Sequence, residues 1–140
     1  MIRQLSIFVE NEVGSLARIT TALKDNNINL RAISSFDSPE YGIMRLIADD
    51  PAKTKEVLNQ PGFAVKITEV IAVELEDEPG ALDNVLHILA NAGISVNYIY
   101  SFVLRKNNAP LMILNMADME VAESILVRHG VKVVGEEELH

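Results

Sequence analysis

From Leu5 to Val9 apolar and polar residues alternate, the period of a half-buried strand. A polar stretch with one glycine follows, Asn11–Ser15. The spacing then changes, with Leu16, Ile19, Ala22 and Leu23 three or four apart, which predicts a helix that Asn26 and Asn27 end. Ile28–Phe36 reads as a strand, Asp37–Gly42 as a turn containing proline, and Ile43–Ala48 as another strand. Asp50 and Pro51 open a helix as N-cap and first helical residue. That helix runs to Gln60, Pro61 and Gly62 stop it, and Phe63–Ile67 is a short strand.

The series then repeats. A strand is predicted at Ile71–Leu75, a turn at Asp77–Gly80, and a helix through Leu82, Val85, Leu86 and Leu89 to Gly93. Val96–Leu104 is a strand, Lys106–Asn108 a turn and Leu111–Met116 a strand. A helix capped by Asp118 ends at Gly130, and Val131–Val134 closes the series. The repeat is also visible residue by residue. Shifted by 66, Ile7–Phe36 matches Val73–Phe102 at nine of thirty positions, including Glu10/Glu76, Gly14/Gly80, Leu16/Leu82, Ser35/Ser101 and Phe36/Phe102. Two copies are too few for a solenoid and point to a duplicated small domain. The division falls into 1–68 and 69–140, with the boundary near Thr68–Val70. The order β-α-β-β-α-β, twice, predicts an α+β protein of two ferredoxin-like units, each an antiparallel sheet with both helices on one face. A lone unit leaves a bare sheet edge, so the two are expected to pair side by side.

Composition narrows the function. Isoleucine, leucine and valine supply 43 of the 140 residues, enough for a packed core. Cysteine is absent, which excludes a disulfide scaffold, a thiolate metal site and a catalytic thiol. No apolar run reaches the roughly 18 residues of a membrane span, and Met1–Glu10 lacks a signal peptide's apolar region, so the expected location is the cytoplasm. Net charge is −8, which argues against nucleic acid and anionic membrane as partners. Residues 1–68 hold eight acids and eight bases; residues 69–140 hold twelve acids and four bases, and this is the main difference between the halves.

Catalytic chemistry is hard to assemble. His87, His129 and His140 are not at ligand spacing, so no metal site is expected. There is no GxGxxG or P-loop motif. Ser15, Ser34, Ser35 and Ser101 have no neighbouring base in sequence, and Glu136–Glu138 reads as a solvated tail. No enzyme activity and no cofactor are expected. Tyr98, Tyr100 and Phe102 share one strand face, which suits a homodimer contact, a lid on an apolar ligand or ordinary packing. The remaining signal is the strand–turn–helix junction, Asn11-Glu12-Val13-Gly14-Ser15 and Asp77-Glu78-Pro79-Gly80-Ala81. A glycine there allows a tight turn, and the helix amides that follow form a seat for a carboxylate. A plain capped turn uses the same residues.

The Asp/Asn-x-x-Gly-x-Leu turn, the Gly-Ile-Ser or Asn-Ile-Asn step into the second strand and the duplicated order resemble the ACT domain over nearly the whole chain, as two tandem copies. Asp77–Leu82 matches that pattern closely; Asn11–Leu16 departs at Val13, where proline is usual. The resemblance implies a regulatory protein that binds a small ligand, most often an amino acid, between the turn of one copy and the second strand of its partner. By position it pairs Asp77, Glu78, Pro79, Gly80 and Ala81 with Asn29 and Arg31, and Asn11, Glu12, Val13, Gly14 and Ser15 with Ser95 and Asn97. The former pairing is the stronger expectation, because Asn29 reaches further than Ser95. With no catalytic domain attached, any regulated metabolic enzyme is expected to be a separate chain. The alternative is a structural or protein-interaction module that binds no ligand.

Overall fold

The computed structural model describes residues 1–38, 41–102 and 109–139. Two compact units are found, one of Arg3–Thr68 and the other of Met1–Ile2 with Glu69–His140. The first contains β1 (Ile2–Glu10), α1 (Ser15–Asp25), β2 (Leu30–Asp37), β3 (Tyr41–Ala48), α2 (Pro51–Asn59) and the start of β4 (Ala64–Glu74). The second contains the rest of β4, α3 (Ala81–Asn91), β5 (Val96–Ser101), β6 (Leu111–Met116), α4 (Met119–Arg128), β7 (Lys132–Val134) and a single 3₁₀ turn, Glu136–Glu138. The turn expected at Lys106–Asn108 lies outside the described residues.

Each unit has the ferredoxin-like order. In the first, β3 lies between β2 and β1, and β4 flanks β1. Leu5 stands opposite Leu46, Val9 opposite Gly42 and Phe36 opposite Ile43, all antiparallel. In the second, β6 lies between β5 and β4, and β7 flanks β4. Alternation decides the faces. Leu5, Ile7, Met44 and Leu46 are fully buried on one side of their sheet, against Ile19 and Leu23 of α1 and Leu58 of α2. Ile71, Val73, Leu114 and Met116 meet Val85 and Leu89 of α3 and Ala122 and Leu126 of α4 in the same way. Each such side chain contributes about 1.5–3 kcal/mol by leaving water.

One element differs from the sequence reading. The strands expected at Phe63–Ile67 and Ile71–Leu75 are a single strand, β4. Between them Thr68, Glu69 and Val70 hold no glycine or proline, and β-branched residues continue a strand readily. Val65 and Ile67 pack in the first core and Ile71 and Val73 in the second, with exposed Glu69 between. In β5, the Tyr98 and Tyr100 rings stack with centroids 6.3 Å apart. Tyr100 is only 8% exposed, while Tyr98 and Phe102 are half-buried.

The two junctions fold alike. The Glu12 amide donates to the Glu10 carbonyl (2.9 Å) and the Glu78 amide to Glu76 (2.8 Å), so Asn11 and Asp77 each centre a three-residue turn. The Ser15 amide then donates to the Glu12 carbonyl and the Ala81 amide to Glu78, closing a four-residue turn whose third residue is Gly14 (φ +87°) or Gly80 (φ +89°). Those angles belong to a type II turn, which favours proline at its second residue and requires φ > 0 at its third. Pro79 is thus a preference of the turn and Val13 a tolerated substitute, while the glycine is the requirement. No atom lies within 4 Å of a Cβ placed at either glycine, so backbone conformation alone demands it. Close approach matters at Gly42, where an added Cβ would stand 3.2 Å from Asn11 Oδ1. The Asn11 side-chain amide donates to the Ser38 carbonyl and fastens the turn to the end of β2.

Gly14→Ala and Gly80→Ala are each expected to cost about 1–2 kcal/mol, the penalty of the left-handed conformation, in urea unfolding. A loss below about 0.5 kcal/mol, the range of ordinary surface substitutions, contradicts the turn assignment.

Candidate functional site

In the first unit the turn ends at the start of α1, and the helix's first internal bond runs from the Arg18 amide to the Gly14 carbonyl (2.9 Å). The amides of Leu16 and Ala17 therefore precede any internal acceptor and carry the positive end of the helix dipole. No acid occupies the first turn of α1. Ser15 stands at the first helical position, only 4% exposed, and its Oγ has no hydrogen-bond partner among the described residues. A buried hydroxyl without a partner costs about 1–3 kcal/mol. Ser15 lines a pocket of about 380 Å³, together with Glu10, Val13, Leu16, Phe36 and Asp37. Glu12, also on its wall, is held by Arg18 at 3.7 Å, and the Arg18 guanidinium lies over the Phe63 ring.

The second turn has the same backbone and different chemistry. Ala81 replaces the serine, and Asp83 sits in the first turn of α3. Its pocket, about 490 Å³, is lined by Glu74, Glu76, Glu78, His129 and Lys132. Lys132 Nζ pairs with Glu74 at 3.0 Å. The side-chain hydrogen bond with Glu76, followed by repulsion from its charge, raises the Glu78 carboxyl above its ordinary value of 4.5. An anion approaching this helix end meets acids that already crowd one another.

The second-strand positions share a feature that sequence could not reveal. Leu30 stands opposite Ala48 and Ala32 opposite Ile47, leaving Arg31 as the extra residue of a bulge. Val96 opposite Met116 and Tyr98 opposite Asn115 leave Asn97 in the same role. Each bulged residue has a partner within its own unit. Arg31 Nε donates to Asp49 Oδ1 at 2.7 Å, and Asn97 Nδ2 to Asn115 Oδ1 at 2.9 Å. Asn29 precedes β2, lines a separate pocket of about 450 Å³ with Lys24 and Asn27, and offers its carbonyl to the Asp49 amide. Ser95 precedes β5 and is exposed.

Within a unit, then, the turn and these strand residues lie at opposite ends of the strands. The residues that do meet the Asn11–Ser15 turn are Ser35, Phe36 and Asp37 from the far end of β2, with Gly42 and Ile43. Sequence reasoning did not name them as candidate site residues, although the Ser35/Ser101 and Phe36/Phe102 identities of the repeat marked that strand end. His140 lies outside the described residues, and the other two histidines turn back on their own helices. His87 Nδ1 lies 3.0 Å from the Asp83 carbonyl and His129 Nδ1 2.8 Å from that of Ile125, each one helical turn back. Among the described residues no group of three or more His, Asp and Glu is placed to hold a metal ion, and no helix is long and apolar enough to cross a membrane.

Set beside known proteins, the duplicated fold with its paired glycine turns has clear relatives. A family model described as an ACT domain pair matches residues 1–140. The chain belongs to the ACT domain pair family. Protein BT0572 from Bacteroides thetaiotaomicron is 34% identical, with TM-score 0.90 over 99% of this chain and 94% of that one. The ligand-free regulatory subunit of aspartate kinase from Thermus thermophilus shares the fold at TM-score 0.64 and 15% identity, covering 90% of this chain and 91% of that one. The aspartokinase alpha and beta subunits do so at TM-score 0.56 and 19% identity, covering 91% and 96%. Comparison with curated proteins returns no match. The ACT family is regulatory rather than catalytic.

The Glu76–Glu78 contact has a pH signature. Glu78's raised value means the folded state holds its proton more tightly than the unfolded chain does. This contribution to stability is present in acid and is lost as pH rises from the ordinary value of 4.5 through the raised one. Glu76→Gln removes the repelling charge, and the Glu78 midpoint should fall toward the ordinary glutamate value in a carboxyl NMR titration. An unmoved midpoint contradicts the assigned cause.

Proposed function

We propose that this ACT domain pair is a regulatory sensor of a free amino acid, acting on a separate metabolic enzyme. The ligand carboxylate sits at the N-terminus of α1, accepting from Ser15 Oγ and from the amides of Leu16 and Ala17. The single observation that carries this reading is the Ser15 hydroxyl, buried, without a partner and on the wall of a pocket. The family membership supports it, since regulation by small ligands is what ACT domains are built for. The ligand's ammonium is met by Glu10 and Asp37, which also line the pocket.

This places the carboxylate on the first turn, where the sequence pattern alone had favoured the second. Two contrasts support the choice. Ala81 offers no hydroxyl, and the acids Glu74, Glu76, Glu78 and Asp83 surround the start of α3. Arg31, the cation expected to offset those acids, is engaged by Asp49.

Ser15→Ala separates binding from folding. A hydrogen bond to a charged group is worth about 1.5–3 kcal/mol, so titration calorimetry with the twenty amino acids should show the best ligand binding about ten- to a hundredfold more weakly to the variant. The ligand-free variant should melt no lower than the wild type, because the lost hydroxyl had no partner. Equal affinity for wild type and variant contradicts the assigned role of Ser15.

A further inference from the structure

We infer that the ligand's side chain is apolar, aliphatic or aromatic. This deepens the amino-acid reading above and rests on it. Among the described residues eight large apolar side chains are exposed, and three of them, Val13, Leu16 and Phe36, line the pocket that holds Ser15. Two more, Phe8 and Tyr41, belong to the same sheet: Phe8 stands opposite Ile43 and Tyr41 precedes Gly42, both of which line the pocket, and the two rings are 6.4 Å apart. Exposed apolar residues scattered singly need no explanation, whereas a cluster around a polar anchor marks a binding surface.

The arrangement sorts side chains by chemistry. Leu16 is 43% exposed and Phe36 58%, so each has surface left to bury against a ligand. A leucine or phenylalanine side chain seated on them leaves water on both sides of the contact. An acidic side chain would face Glu10, Glu12 and Asp37, three carboxylates that line the pocket, while Arg18 is turned toward Glu12. A basic side chain would compete with the ligand's own ammonium for Glu10 and Asp37, while Glu12 is already held by Arg18, so lysine is the competitor that the test includes. The pocket, about 380 Å³, is at the small end of the usual range for small-molecule sites, roughly 300–1,000 Å³. The anchor thus fixes the amino-acid backbone and the walls select its side chain, a division that small-molecule sites commonly show.

The test is calorimetry on the full chain with L-leucine, L-phenylalanine, L-alanine, L-lysine and L-aspartate. Burying a large apolar side chain predicts that leucine or phenylalanine binds about ten- to a hundredfold more tightly than alanine, and more tightly than lysine or aspartate. Phe36→Ala removes an exposed ring and leaves both cores untouched. It should shrink the advantage over alanine severalfold while leaving alanine's own affinity within about twofold, the effect of losing wall and not anchor. Tighter binding of lysine or aspartate, or an unchanged preference in Phe36→Ala, overturns the inference and leaves the amino-acid reading standing. If none of the five binds the wild type and neither does any other amino acid, both fall together.

Discussion

A positive φ at one residue organises each half of this molecule. Gly14 and Gly80 hold angles of +87° and +89°, which only glycine adopts cheaply, and each converts the end of a strand into the start of a helix. The strand is fixed by its buried alternating residues and the helix by its apolar stripe, so the turn must join two directions already set by the cores. It does so with one three-residue and one four-residue turn in succession, made by the same backbone hydrogen bonds in both copies. The by-product is a helix whose leading amides face outward at the sheet's end. Function in this family can therefore be built on a feature that folding already requires.

Duplication kept that frame and let the chemistry diverge. Around the first turn stand a serine without a partner, no acid in the leading turn of the helix, and apolar walls. Around the second stand an alanine, an aspartate in the leading turn, and a crowded glutamate pair. The net charge of −8 carried by residues 69–140 is concentrated in part at this very place, at Glu74, Glu76, Asp77, Glu78 and Asp83. Two helix N-termini with one backbone geometry thus differ in the acids placed around them.

Much of the fold was legible because each element announces itself locally. The alternation of Leu5, Ile7 and Val9, the spacing of Ile19 and Leu23, and the proline after Asp50 all have short-range physical causes, and Asp50 does accept from the Lys53 amide. What escaped was long-range. Nothing local says that Phe63–Ile67 and Ile71–Leu75 run together as β4, because a chain of β-branched residues permits either outcome. The bulges at Arg31 and Asn97 depend on cross-strand register, which sequence does not display. The two turns themselves were legible, since glycine and helix start are visible in sequence. Their neighbours Phe36 and Asp37 were not, since they arrive from another strand, and Ser15's missing partner can be seen only once the surrounding atoms are placed.

The seat at the start of α1 is tested most directly at the amides themselves. In proton–nitrogen NMR spectra of the intact chain, titration with leucine or phenylalanine should move the Leu16 and Ala17 amide resonances downfield as the carboxylate binds, with Leu82 and Asp83 unmoved. Movement of Leu82 and Asp83 with Leu16 and Ala17 unchanged would place the ligand on the second turn and contradict the assignment.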